Sequence, residues 1–451
     1  MINTTTYSPT AAERVMVFLS CVLLFVWSLP GTIALRLALT LVLLGLTLWQ
    51  SRKSDLTARE LVSAHQRLTG VYLALSAWLV LQALLLSVHP DLAIKEFWGQ
   101  WLRAGISGLI GFLVASLITR RHPGRSGPLL ALSLTLTLAF QIGLHDVDTL
   151  WRWWHEGQLP FQQTRIVANR SGMSFLTNLL MSLLGAEAVS RILYRRRYLP
   201  ISWIWMAVLF AMCLFTTYVV GTRYGTIGFL TLIISCSVVG LVAKKKDINL
   251  PILIGVGAII AIGIGAFGWA AVKSDARWLT LKETIPVALD TDHQRAWRDA
   301  SLPMPLLPSG ASAEESAYLR LSWAKEASLA IVHHPLGVGY GRNAFGYAMQ
   351  IYYPDYASSL HCHSGILNFT VGAGIPGLLL WLGFIGLLAI RGWQAFFRRE
   401  NPAGLLLLFV VSGFFLRSLV DGNFQDHMFE QFMFLALLFY ILAGQDQRIA
   451  D

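Results

Sequence analysis

His363 stands where a polar stretch gives way to a long apolar one, in "HCHSGILNFTVGAGIPGLLLWLGFIGLLAI", residues 361–390. Ser364 follows it and is suited to cap a helix that starts there. A helix N-terminus carries partial positive charge. That charge disfavours imidazolium and keeps the ring neutral near pH 7, as a general base must be. The same dipole attracts a phosphate. A histidine at such a boundary also serves as an ordinary interfacial hydrogen-bonding residue. The other chemistry on offer is a metal held by His361, Cys362 and His363. Adjacent residues rarely converge on one tetrahedral ion, and the only companion pair is His333 and His334, so neither a metal nor a cofactor is expected.

Three arginines share the apolar setting and have no carboxylate three or four positions away, the reach of a helical ion pair. Arg170 lies in "TRIVANRSGMSF", Arg223 in "VVGTRYGT" and Arg320 in "EESAYLRLSWAKEASLAIV". By contrast, Arg417 has Asp421, and Arg295 has Asp292 and Asp299, which suggests structural pairs. A charge at membrane level costs about 2.5–3.5 kcal/mol on insertion scales, so unpaired arginines there call for a use. They could snorkel to headgroups or meet partners distant in sequence. Together they suit an anion, because guanidinium grips phosphate oxygens bidentately.

The stretch "GAGIPG", 372–377, fits the G-x-G-x-x-G spacing of a dinucleotide-binding turn, as do Gly263, Gly265 and Gly268. That turn needs a strand before it and a helix after it, and here both lie inside apolar runs. Close packing by small residues, with Pro376 bending the helix, accounts for them better.

The elements that position these residues are membrane helices. The chain of 451 residues is 55% hydrophobic and only 13% charged, against about 25% charged in soluble domains. Apolar runs near 15–29, 33–49, 70–88, 104–119, 129–145, 172–192, 202–221, 224–243, 251–272, 364–390, 403–420 and 427–443 make about twelve spans. The first two could instead form a re-entrant pair. The fold class expected is an all-α polytopic membrane protein with one large outer loop that contains helices. Its parts are 1–272 with nine spans, the loop 273–363, and 364–451 with three spans. Seventeen Lys and Arg residues fall on alternate loops (Arg52, Lys53, Arg59 and Arg67; Arg120, Arg121 and Arg125; Arg191 and Arg195 to Arg197; Lys244 to Lys246; Arg391, Arg398 and Arg399). The positive-inside rule puts those loops and both termini in the cytoplasm, so the net charge of +10 signals topology rather than nucleic acid. The four cysteines form neither a disulfide framework nor a metal spacing. Within the large loop, Ser312 and Glu315 fit a capping box. Leu319, Trp323, Ala327 and Ala330 recur at helical spacing, predicting an amphipathic helix over 313–332 on the outer face. A turn-rich stretch with Gly337, Gly339 and Gly341 follows.

"HSGILNFTVGAGIPG" resembles the H-[N/S/Q]-x9-G-x-x-G pattern of bacterial O-antigen ligases, which share a superfamily with O-antigen polymerases and protein oligosaccharyltransferases that use lipid-linked glycans. "YLRLSWAKEASLAIVHHPLGVGYGRNAF" looks like the family's arginine-bearing helix and Pro-Leu-x-Gly-x-Gly loop, "GTRYG" like its arginine turn, and "ANRSGMSFLTNLL" like its Asn-containing start of a span. The resemblance runs over about 165–385 in motifs and over the whole chain in architecture. It implies a bacterial inner-membrane enzyme of lipopolysaccharide biosynthesis with its active site facing the periplasm. Such an enzyme would move an O-antigen glycan from undecaprenyl pyrophosphate to a lipid A–core hydroxyl, by inverting single displacement. His363 would be the base, and Arg223 and Arg320 the pyrophosphate clamps. Arg170, Asn169, Arg342 and Tyr340 would bind substrate. The segment between Arg223 and Arg320 is longer than the pattern leads one to expect, which keeps Arg295 and Arg298 as rivals of Arg320. The alternatives are a polymerase or protein O-oligosaccharyltransferase of the same superfamily, and, in another class, a lipid-linked glycan transporter.

Overall fold

A computed structural model describes residues 9–54, 60, 63–120, 123–242 and 280–445. The ninth expected span at 251–272, its glycines, Lys244 to Lys246, Arg59 and Arg121 lie outside the described residues. Among the described residues the regular structure is helical, apart from an isolated antiparallel bridge between Leu306 and Ser312. In chain order the helices are α1 (Ala11–Val26), α2 (Ile33–Lys53), α3 (Gln66–Leu85), α4 (Pro90–Glu96), α5 (Arg103–Thr119), α6 (Pro123–Glu156), α7 (Arg170–Tyr194), α8 (Trp203–Val220) and α9 (Arg223–Val242). Then come α10 (Leu281–Leu289), α11 (Glu315–His333), α12 (Ala344–Tyr352), α13 (Gly365–Trp393), α14 (Ala403–Ser418) and α15 (Asp426–Gly444). A π-helical turn, Phe97–Leu102, joins α4 to α5. Among the described residues, eight helical segments are long and apolar enough to cross a membrane, and shorter apolar helices accompany them. The chain is thus an all-α polytopic membrane protein. α1 and α2 are separate helices joined by a short turn.

Small residues set the closest packing. Gly108 and Gly111 of α5 face α15, and a Cβ at Gly111 would overlap the Phe434 carbonyl oxygen. Backbones this close are a device of membrane interiors, where packing rather than water expulsion holds helices together. Gly111→Leu is expected to force α5 and α15 apart. A destabilisation of about 1–3 kcal/mol or more should follow, because the obstructing atom is backbone. Thermal unfolding of the detergent-solubilised protein measures it.

Residues 280–363 build a second apolar core around Trp297, Tyr318, Trp323, Phe345, Met349 and Cys362. This lid seats on the start of α13 through Cys362 and Val371. α11 begins at Glu315, and its cap is Glu314, whose carboxylate accepts from Ala317 N–H at 2.7 Å. The expected cap, Ser312, is corrected by this geometry. Its backbone is engaged in the bridge to Leu306, and Ala313 N–H donates to the Pro305 carbonyl, so the helix starts later. Trp323, Ala327 and Ala330 are buried as the periodicity predicts, while Leu319 is half-buried.

The glycine-rich stretch of α13 is a break rather than a smooth bend. Gly374 has φ 71° and ψ 179°, which a residue with a side chain rarely adopts. The expected bend at Pro376 is therefore corrected to Gly374. The surface it offers is met by a loop rather than a helix. Val338 N–H donates to the Val371 carbonyl at 3.0 Å, Gly339 N–H to Gly372 at 3.1 Å, and Ile375 N–H to Pro335 at 2.7 Å. A Cβ at Gly337 would stand 2.6 Å from Gly374 N. The glycines let two backbones touch, so that main-chain groups freed by the break find partners.

Candidate active site

The helices α7, α9, α13 and α15 all begin at one end of the bundle, where the lid also sits. Ser364 caps α13, its hydroxyl accepting from Leu367 N–H at 3.4 Å. His363 directly precedes this cap with φ 56°, a left-handed backbone unusual for a residue other than glycine. Such conformations cost about 1–3 kcal/mol and persist where surrounding contacts impose them. Here the contacts are aromatic. The imidazole stacks on Trp323 of α11 with centroids 5.4 Å apart and planes at 16°. The His361 ring lies 4.2 Å away. Arg320 sits three residues before Trp323, one turn along α11, and its positive charge acts on His363.

Burial favours the neutral form of the ring more than any single neighbour does. Burial, then His361, then Arg320 push the His363 pKa down to about 4, with Asp421 opposing. Burial also lowers His361. Cys362 turns away from both: it is buried in the lid core, and its thiol donates to the Ser364 carbonyl at 3.4 Å. Among the described residues no group of three His, Cys, Asp or Glu side chains is placed to hold a metal ion.

His361 and His363 open onto a cleft of about 400 Å³ whose walls include Gln100, Tyr340, Arg342, Asn368 and Phe424. Asn368 of α13 fixes the glycine loop by donating to the carbonyls of Gly341 and Arg342, both at 3.1 Å. Phe369 and Phe424 form its apolar floor and continue into an aromatic cluster with Trp381, Phe414 and Phe432. Tyr340 is buried, edge-on to Trp101 and Phe369. Arg342 bonds Glu96 at 3.1 Å and lies 3.6 Å from Asp426.

Arg170, Arg298 and Arg320 do not line this cleft. Arg170 is the first residue of α7 and donates to Gln162 Oε1 at 2.8 Å. The Gln162 N–H donates to Val219 at 2.8 Å, which ties Arg170 to the turn that carries Arg223. That turn is made possible by Gly221, with φ 58°, and Arg223 opens α9. The Arg223 side chain lies outside what the structure describes. Asn169 caps α7, its side-chain oxygen accepting from Gly172 N–H at 2.7 Å, so its amide already has a local task. Arg298 lies over the Tyr353 ring at 4.7 Å. Arg320 is the loop arginine whose charge reaches His363.

Arg417 and Asp421 form the pair their spacing predicts, at 2.6 Å, and both are buried. The pair is also a junction. Asp421 accepts from Ser171 Oγ at 2.9 Å, and its carbonyl accepts from Gly365 N–H at 2.9 Å. Arg417 donates to Ser174 Oγ at 3.2 Å. α7, α13 and α14 therefore meet there beneath His363. Sequence reasoning missed three features: the Trp323 stack, the Glu96 partner of Arg342, and the second use of Asp421. Trp323 alone left a signal, one turn from Arg320, but it reads as core.

No curated protein matches the chain. Residues 206–382 match the model of a family described as O-antigen ligase, a segment that holds Arg223, the lid with Arg320, and His363 through Gly377. Over that segment the chain is similar to the O-antigen ligase family.

Proposed function

We propose that the protein moves an O-antigen glycan from undecaprenyl pyrophosphate to a hydroxyl of a lipid A–core oligosaccharide. The reaction takes place at the periplasmic face of the inner membrane, with both termini in the cytoplasm. The observation that carries this reading is a half-buried imidazole held in a left-handed backbone, stacked on Trp323 and within reach of the Arg320 charge. The donor is already activated at its anomeric carbon, so the protein must supply a base and positive charge. His363 takes the proton of the acceptor hydroxyl. The oxygen forms its bond to the anomeric carbon, the bond to the phosphate oxygen breaks, and that electron pair leaves on the pyrophosphate. Arg320 and Arg223 stabilise the departing charge, and Arg170 holds the donor phosphates. Preorganised cations of this kind act most strongly where charge grows in the transition state. Tyr340 and Arg342 border the glycan path.

The test is purified protein in proteoliposomes, with labelled lipid-linked donor and lipid A–core acceptor, and without ATP or added metal. The expected product is capped core with inverted anomeric configuration. Retained configuration would refute single displacement. Elongated lipid-linked glycan would identify a polymerase, and an absolute need for ATP a transporter. In the same assay Arg320→Ala is expected to lower kcat about 10²–10³-fold, with Arg320→Lys recovering part of the loss. A change confined to the donor KM would remove Arg320 from the transition state.

A further inference from the structure

A second cleft, of about 550 Å³, lies beside the Gly339–Gly341 backbone. It shares Tyr340 and Gly341 with the first, so the two clefts adjoin at one short stretch of chain. Its polar lining includes Ser87, His89, Lys95, Glu96 and Asn343, with the Tyr347 ring beside them. The side-chain polar atoms of His89, Lys95, Asn343 and Tyr347 have no hydrogen-bond partner among the described residues. Asn343 and His89 precede α12 and α4 without capping them through their side chains. His89 instead meets Tyr347 edge-on at 4.7 Å. Glu96 spends its carboxylate on Arg342, which faces the first cleft.

We propose that this second cleft is the subsite for the acceptor saccharide; this rests on the glycosyl-transfer reading above and names where its second substrate sits. A sugar ring presents hydroxyls that both donate and accept. An amide, an imidazole, an ammonium and a phenol without other partners match that pattern. An aromatic ring among a few convergent polar groups is the usual make-up of a small-ligand site. A second pyrophosphate fits poorly, because the Glu96 carboxylate stands in the lining. The clefts adjoin at Gly341, where there is no side chain and where a Cβ would meet Glu96 Cγ at 3.1 Å. An acceptor hydroxyl crossing that point enters the cleft of His363, with the donor on the other side.

The experiment measures binding of a lipid-free core oligosaccharide to the purified full-length protein, in the absence of donor. Asn343→Ala and His89→Ala are each expected to weaken binding about 3–10-fold, the loss of one hydrogen bond, and Asn343→Ala/Lys95→Ala further. His89 and Lys95 are exposed, so His89→Ala and a Lys95 change leave the core untouched. In the transfer assay the same changes should raise the acceptor KM while the donor KM stays in place. Full affinity in the double variant overturns the subsite. So does a shift of the donor KM alone, or a Ser/Thr peptide that displaces the oligosaccharide. Oligosaccharide that binds here in a protein unable to transfer glycan would sink the functional reading and leave the subsite standing.

Discussion

Replacing His363 with asparagine is expected to leave a folded protein that transfers glycan about 10²–10⁴-fold more slowly, the contribution of a positioned general base. Asparagine is chosen because it tolerates the left-handed backbone better than other residues with side chains. A merely structural histidine would then lose little. The pH profile is a second readout. His363 in the free protein has its pKa depressed to about 4. The acid limb of kcat/KM should therefore fall near pH 4, well below that of an ordinary histidine. Bound pyrophosphate brings negative charge beside the ring, which favours imidazolium and should move the kcat limb upward. A depressed pKa also has a sign for stability. The folded form binds the proton less well than the unfolded one, so its contribution is complete above about pH 6.5 and is lost as pH falls toward 4. Unchanged turnover in His363→Asn, measured in the reconstituted assay, would remove it from the chemistry.

The second large effect is on folding. Arg417→Leu is expected to cost about 3–5 kcal/mol, because it strands the Asp421 carboxylate in a buried site. Ser171 alone then remains to satisfy it, and the junction of α7, α13 and α14 loosens under the histidine. Arg417→Leu/Asp421→Leu should recover much of that loss, since replacing both members of a buried pair by apolar groups is often close to neutral. Unfolding temperatures of the two variants in detergent decide the matter. A double variant no better than the single one would mean that the Asp421 side chain matters for its bond to Ser171 rather than for its charge.

The spans were legible because insertion in a bilayer is dictated by composition alone. Runs such as 172–192 and 427–443 became α7, Arg170–Tyr194, and α15, Asp426–Gly444, to within a few residues. Ser364 and the buried face of α11 were legible for the same local reason. What the sequence hid is long-range. Arg342 shows no acid nearby, yet its partner Glu96 comes from a helix 246 positions earlier. Trp323 reads as core by its spacing and is core, but one face of its ring is also the platform for His363. Ser312 read as a cap because the motif is local, and the bridge to Leu306 overrode it. The left-handed φ of His363 is set by the lid and by α13 together, and no spacing announces it.

The break at Gly374 also dictates an order of assembly. Its main-chain partners come from the loop at 335–339, and until that loop arrives the freed carbonyls of α13 face lipid or water. The membrane segment must therefore insert before the lid can close on it. Nascent chains arrested shortly after α13 should hold a protease-sensitive 280–363 region that becomes resistant only once residues 365–393 have left the ribosome and crossed the bilayer.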